Sequence, residues 1–556
     1  MKEIFKNIWQ VLEKKERKKL LFLSMLDIVI SLADIFSLVA LLWIIQFYVN
    51  PSPNKSSFLP VWLNNKNSPV LIGIFLAFFS LKNLAGLFTI SAQYRFISSV
   101  AIRISRDNLV KFQQINYEDF VINDSSGYIR SIAFQPFEFC QHLMTGTQQI
   151  ITQLFLVSFT VLAILFFNVK LFLTLFVLLL PPVIIVFYVI KKRLSGIKKK
   201  LQTSNQLSFQ YLMDALKGWV EGNIFDRNRF FQNRFLRHRQ EFSKNLFNSL
   251  SLQSMPGRVI EIFAILGLFI LVTLSISTGN TGNSAFITIG AFVAAAYKII
   301  PGIVKIINVS SQMKAYDFVF NDIADTQNQQ IQKSENNNKG IDNLEYKNIF
   351  FSYGDTTLIK DVSCAINRGD FVGITGLSGK GKTTFLNITL GFLKPQKGEV
   401  FFNGQAICNG TTKKFWSNIS YVKQQSFLIH DTITRNITFE ESVSDKKRLD
   451  NALNISGLDK FLQEYTNGTD KIISENGKNI SGGQQQRIAI ARALYKKDAD
   501  LFLMDEPFNE LDEESTTTIL EHLKDISRKG KMVILITHDK KSLTYCNKII
   551  SLDEQY

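Results

Sequence analysis

Cysteine is scarce in this chain of 556 residues: only Cys140, Cys364, Cys408 and Cys546 are present, far apart and with no C-x-x-C pair. That spacing excludes a zinc-type cluster and a disulfide framework, and it fits a reducing compartment. A small-residue cleavage site is missing after the first apolar run, and that run, residues 20–48, is too long for the core of a signal peptide. Ionisable residues are few inside the long apolar stretches. What the chain has in quantity is apolar and aromatic surface, with 46% hydrophobic residues and 48 Phe. Mean hydropathy is +0.08, above the usual range for a soluble protein. The net charge is +16. In a soluble protein such a charge would point to nucleic acid. Beside long apolar stretches it points to a membrane bordered by basic loops, because cytoplasmic loops accumulate Lys and Arg. No nucleic-acid partner is expected.

Six stretches reach roughly the 20 residues needed to span a bilayer: 20–48, 69–91, 148–167, 170–190, 259–277 and 285–308. Residues 1–19 precede them as a basic, amphipathic segment. Ile4, Ile8, Trp9 and Leu12 share one helical face, which predicts an interfacial helix. The third and fourth stretches are separated only around Asn168 and Val169, so a tight external hairpin is expected. The connections after the second and fourth are long and helix-like. They carry Arg95, Arg103, Arg106 and Arg130, then the basic clusters 191–193 and 198–200 and the run from Arg227 to Arg239. These charges place both connections, and the N-terminus, in the cytoplasm. Short external and long internal connections imply helices that continue well beyond the membrane on one side.

Charged residues inside a span are functional candidates by default. Asp27 and Asp34 lie seven residues apart on nearly one helical face of the first span, and Lys298 and Lys305 have the same spacing in the sixth. Lys82 lies inside the second, and Arg258 and Glu261 open the fifth. Two readings stand at this point. These groups line a substrate path, or they pair with one another inside the bundle.

Residues 321–340 are polar and read as a linker. From residue 341 the pattern becomes α/β, with strands expected at 344–352, 371–375, 501–504 and 532–536 and helices between them. That alternation predicts a parallel sheet. The expected organisation is thus a helical domain over 1–320, a linker over 321–340 and an α/β domain over 341–556.

The α/β part holds the motifs that carry chemistry. Gly376 to Thr383 reads G-x-x-x-x-G-K-T, between an apolar strand and a helix expected over 384–393. Gly376, Ser378, Gly379, Gly381, Lys382, Thr383 and Thr384 form a phosphate-binding loop. Glycines let backbone N–H groups converge on phosphate oxygens, and the helix N-terminus favours negative charge. Lys382 would reach the β- and γ-phosphates, and the Thr383 hydroxyl would meet Mg²⁺. The strand 501–504 runs into Asp505 and Glu506. Asp505 suits Mg²⁺, and Glu506 suits the attacking water. Ser481, Gly482, Gly483 and Gln484 open a helix running through Arg487 to Leu494, with Ser481 as N-cap and glycine N–H groups exposed to a phosphate. A glycine-rich turn or an ordinary capped helix would account for either motif alone, but not for their order and spacing together.

This constellation resembles the nucleotide-binding domain of ATP-binding cassette (ABC) transporters, and residues 1–320 resemble the six-helix membrane domain of ABC exporters. The resemblance implies an α-helical six-span transmembrane domain followed by an α/β P-loop ABC nucleotide-binding domain. It implies ATP and Mg²⁺. By matching position, Tyr353 would stack on adenine, Gln424 would sense Mg²⁺ and contact the membrane domain, and His538 would hold the γ-phosphate. Glu475 matches the acidic residue before the signature, and Asp512 closes the D-loop. Residues 117–126 and 222–229 match the coupling segments, with Phe120, Phe225 and the nearby Phe230 expected to dock. One membrane part plus one ATPase part is half a transporter. A second half is implied, and a homodimer with two active sites is expected. The implied location is a bacterial-type cytoplasmic (inner) membrane, crossed several times, with the ATP-binding domain in the cytoplasm.

The chain departs from the family pattern in three places. Lys423 precedes Gln424 where proline is usual. The D-loop reads Asn509-Glu510-Leu511-Asp512 where Ser-Ala-Leu-Asp is common. The last expected strand lies close to Tyr556, so the usual C-terminal helices are expected to be short or missing. Residues 33–38 and 297–301 resemble short patterns of flippases for lipid-linked oligosaccharides. A lipid-linked or other amphipathic substrate follows from that resemblance. Peptide or drug export is the alternative, and a membrane ATPase for sensing or assembly is the alternative of another class. A peptide exporter that cleaves leaders is not expected, since no protease-like Cys/His pair precedes the first span.

Overall fold

The computed structural model describes residues 2–49, 69–122, 125–167, 169–277, 299–314, 316, 340–407, 412–463 and 467–553. The chain forms two compact units. One comprises residues 1–114 and 123–331, and the other residues 115–122 and 332–556.

The first unit is helical. Helix α1 (Lys2–Val11) is followed by α2 (Lys14–Val49) and α3 (Val70–Phe112). A helical run over 125–167 contains two π-helical segments, Arg130–Phe134 and Phe139–Met144. Val169–Lys217 and Asn228–Ser277 are long helices packed on each other. Among the described residues, three helices are long and apolar enough to cross a membrane, at Lys14–Leu41, Val70–Phe112 and Asn228–Ile270. They overlap the first, second and fifth expected stretches. The third and fourth stretches fall within helices, and residues 299–314 of the sixth region are helical. Residues 278–298 lie outside the described residues, Lys298 among them.

Helix α3 has 43 residues. At ~1.5 Å per residue it runs about 65 Å, twice the ~30 Å of a hydrocarbon core. Its apolar part turns large side chains outward, among them Leu81 and Phe88. An all-round apolar surface of this kind suits lipid rather than water. The N-terminal helix differs from expectation. Ile4, Ile8, Val11 and Leu12 are buried in a protein core with Phe139, Leu143 and Met144. Its apolar face is therefore covered by protein instead of lying open to lipid, and Trp9 remains partly exposed.

The second unit holds two sheets among its described residues. The antiparallel one has strand order β2-β1-β4-β5, from β1 (Asn343–Tyr353), β2 (Thr356–Asn367), β4 (Lys397–Phe402) and β5 (Gln405–Ala406). The other is parallel, with order β6-β7-β8-β3-β9. Its strands are β3 (Phe371–Thr375), β6 (Ile419–Val422), β7 (Leu501–Asp505), β8 (Met532–Ile536) and β9 (Lys548–Ser551). All five residues of β7 and all five of β8 are buried. A parallel strand covered on both faces reads as a continuous apolar run, which is why these strands were legible in sequence. One face packs on Phe385, Leu386 and the antiparallel sheet. The other packs on Ala489, Ile490, Leu520 and Leu523.

The sheet's strand order places the C-terminal ends of β3, β7 and β8 side by side. The motif residues follow those ends. Ligands of open parallel sheets bind at that edge, because loops there are free to carry chemistry while the strands hold them in register.

Candidate nucleotide site

The loop after β3 turns sharply at three glycines with positive φ, Gly376, Gly379 and Gly381. Gly381, at φ +87°, caps the helix Lys382–Thr389. A side chain there would crowd Leu358, whose Cβ would lie 3.1 Å from the added atom. Close packing and left-handed backbone together require glycine at this point. Lys382 is buried, and its Nζ donates to the carbonyl oxygens of Gly376 at 2.8 Å and Leu377 at 3.2 Å. The ammonium is thus folded over the loop, with its charge inside the ring of backbone groups. The helix is shorter than the sequence predicts: it ends at Thr389, followed by the left-handed Gly391.

Strand β7 delivers Asp505 to the same edge. Its Oδ1 lies 3.5 Å from the Thr383 hydroxyl. Its Oδ2 is buried and has no hydrogen-bond partner among the described residues. Burial pushes this carboxyl up to about 6, and the neighbouring Glu506 adds to the rise, while Thr383, Lys382 and Lys423 oppose it. A buried, unpaired carboxylate oxygen beside a hydroxyl is a hard-oxygen donor set, and it suits Mg²⁺.

Glu506 is the residue most closely held. It adopts φ +48°, a left-handed conformation that costs a non-glycine residue on the order of 1 kcal/mol. Its backbone N–H donates to the Ile536 carbonyl at 3.1 Å, tying the turn to β8. Gln424 Nε2 donates to Oε2 at 2.9 Å. Asn509 Nδ2 donates to the same oxygen at 2.9 Å. His538 Nε2 lies 2.5 Å from Oε1. The structure therefore gathers Gln424, Asp505, Glu506 and His538 with Lys382 and Thr383 into one place. Tyr353 ends β1 and is about half exposed, its ring edge-on to Phe351 at 4.9 Å.

The Ser481 group forms a second cluster. Ser481 caps the helix Gly482–Tyr495 with a reciprocal box. Gln484 N–H donates to Ser481 Oγ at 3.3 Å, and Ser481 N–H to Gln484 Oε1 at 2.9 Å. From this helix Arg487 reaches Asp512 at 2.6 Å and the Ser456 carbonyl at 2.9 Å. Asp512 in turn caps the helix Glu513–Arg528.

Against known proteins, the family model described as ABC transporter matches residues 359–509. The chain carries an ABC transporter domain. Its fold is similar to that of a solved bacterial Atm1-family ABC exporter with ATP bound, with a TM-score of 0.73. That match covers 97% of this chain and 94% of the other, at 16% identity. The ATP-dependent lipid A-core flippase of Alkalilimnicola ehrlichii is 28% identical over 67% of this chain and 64% of its own length. The flippase of the same name from Francisella novicida is 29% identical over 68% and 66%. The chain thus spans just under two thirds of the length of these relatives. A putative export ATP-binding/permease protein of Rickettsia felis is 34% identical over 40% of this chain and 38% of its own.

Two residues of the ABC domain's site were not expected from sequence. Asn509 was legible only as a departure in the D-loop, and nothing in the pattern showed that its amide meets Glu506. Asp553 accepts from the Leu377 N–H at 2.9 and 3.0 Å, bracing the phosphate loop from a position 176 residues away in sequence. No local signal could have revealed that contact.

In the helical unit, Lys82 is buried and pairs with Asp34. Gln148 donates to Asp27 at 3.2 Å, and Lys305 is close enough to Asp27 to act on it through charge. The segment 115–122 belongs with the α/β unit, where Tyr117 stacks on Phe392 with centroids 4.6 Å apart. Phe120 is about half exposed, and Phe225 follows the short helix Trp219–Ile224 and is exposed.

Proposed function

We propose that this chain is half of an ATP-driven exporter that moves an amphipathic, lipid-like molecule across the membrane. The observation that carries this reading is the carboxylate of Glu506, fixed by three side chains beside a phosphate loop, in a chain whose other unit is built of long apolar helices. The names of the relatives support a lipid-like substrate. Six spans, and an ATP-binding domain facing the cytoplasm at a bacterial inner membrane, are part of the proposal.

In this reading Lys382 binds the β- and γ-phosphates of ATP, and Tyr353 stacks on the base. Thr383, Asp505 and Gln424 would hold Mg²⁺. The metal, when bound, neutralises charge developing on the phosphate oxygens. Glu506 orients the attacking water and accepts its proton through a carboxylate oxygen, while His538 turns to the γ-phosphate. Positioning and charge placement do most of the work in phosphoryl transfer, so a rigid Glu506 matters more than a strongly basic one.

The Ser481–Gln484 motif is a separate phosphate-binding cluster. By resemblance it completes the site of a second copy, so the functional unit is a homodimer with two equivalent sites. Asp27, Asp34, Lys82, Lys298 and Lys305 are the charged candidates along the substrate path. An anionic head group entering a low-dielectric cavity needs fixed cations, and Lys82 is held neutralised by Asp34 until one arrives. The test is ATPase activity and lipid movement by the purified full chain in vesicles, with anionic lipid-linked, neutral lipid and peptide substrates side by side. ATP-dependent movement of the anionic lipid supports the reading. Movement of peptide alone, or hydrolysis with no movement of any substrate, overturns it.

A further inference from the structure

Glu506 has three side-chain donors among the described residues, and two of them have another duty in the proposed cycle. Gln424 is needed at the metal, and His538 at the γ-phosphate. Asn509 has no second duty. It shares Oε2 with Gln424 at 2.9 Å, on the side of the carboxylate opposite His538. We infer that Asn509 is a positioning residue for Glu506: it keeps Oε2 anchored after Gln424 and His538 have turned away, so that Oε1 is the oxygen that faces water. This inference rests on the catalytic reading of Glu506.

The loop is built to hold Asn509 still. Glu506 is fixed in left-handed backbone and bonded to β8, and Pro507 locks its own φ and restricts Glu506 before it. Phe508 and Leu511 pack on the core between the sheet and its covering helices. The Leu511 N–H closes a turn onto the Phe508 carbonyl at 3.0 Å. Asp512 is anchored at a helix N-cap and by Arg487. Asn509 therefore lies between two fixed points, three residues from the carboxylate it serves. A serine, common at this position in the family, is one bond shorter and has no amide.

In the chemical step a water oxygen bonds to the γ-phosphorus. The bond from that phosphorus to the β–γ bridging oxygen breaks, its electron pair leaves with ADP, and one water proton passes to Oε1. With Oε2 anchored, the carboxylate cannot rotate out of line as the proton arrives. Loss of a hydrogen bond to a charged group typically lowers a rate by about 10-fold or more.

The experiment is steady-state hydrolysis and ATP binding by the full-length protein in lipid nanodiscs. Asn509→Leu keeps much of the side chain's size and removes the donor without adding a charge beside Glu506. It is expected to lower kcat at least about 10-fold with KM for ATP and nucleotide binding within about two-fold of wild type. Asn509→Gln, which keeps an amide, is expected to recover a large part of that loss. In a Glu506→Gln background the same Asn509 change should cost nothing more, because its effect runs through the carboxylate. Wild-type kcat in Asn509→Leu, or a raised KM at unchanged kcat, overturns the inference and leaves Glu506 in its role. Wild-type turnover in Glu506→Gln alone overturns the catalytic reading itself.

Discussion

Glu506 is a largely buried carboxylate at the end of β7, made rigid by its neighbours, and rigidity is the property its proposed role needs. Glu506→Gln keeps the shape but turns one accepting oxygen into a donating NH2 and cannot accept the proton. It is expected to bind ATP normally and to turn over at least ~10²-fold more slowly, since a positioned general base contributes ~10²–10⁴-fold. Radiolabelled ATP binding beside phosphate release measures both. Normal release would remove Glu506 from the reaction. Asp505 tests the metal in a different way. Its unpaired Oδ2 and its raised pKa both reflect the cost of a buried negative charge. A divalent cation relieves that cost, so MgATP should protect the wild-type domain against thermal unfolding more than ATP with chelator does. Asp505→Asn is expected to lose most of that difference. Equal protection by ATP with and without Mg²⁺ in the wild type would contradict the assignment. In the helical unit, Lys82→Ala leaves Asp34 without its partner, and a lone charge in a span is costly. If the pair is structural, folded yield falls and Asp34→Asn in the same protein restores it. If Lys82 serves the substrate, yield and basal ATPase hold while transport falls. Size-exclusion yield with transport assays separates the two.

Elements show where sequence was informative and where it was not. Strands β3, β7 and β8 were readable because burial on both faces demands continuous apolar runs. Strand β6 was not, since its four residues Ile419–Val422 contain Ser420, whose hydroxyl is satisfied by the Ala493 carbonyl at 2.9 Å. Strand β2 was missed because its inward and outward positions alternate irregularly through bulges in its pairing with β1. The phosphate loop and the Ser481 cap were legible because a local backbone need dictates local residue types. Asn509 and Asp553 act through contacts set by tertiary placement, and pattern alone cannot show those. The segment expected to couple the two parts makes the same point. Phe120 and Phe225 were expected to dock, yet the ring stacked on Phe392 is that of Tyr117. Tyr117→Ala should therefore uncouple hydrolysis from transport at least as strongly as Phe120→Ala. Transport per ATP hydrolysed is the measurement, and a wild-type ratio in Tyr117→Ala would rule out a coupling role for this stack.

At the scale of the molecule, one chain supplies long apolar helices and an α/β unit, with the two proposed phosphate-binding clusters built on separate helices. In the proposed function hydrolysis drives a substrate through the helical unit. The direct measurement is lipid translocation in sealed vesicles containing the full-length protein, with a fluorescent anionic lipid-linked substrate, MgATP outside, and wild type beside Glu506→Gln. Wild type is expected to move the lipid at a rate that tracks phosphate release, while Glu506→Gln binds ATP and moves almost none. Equal movement by both proteins, or brisk hydrolysis by wild type with no lipid movement, would contradict ATP-driven export by this chain.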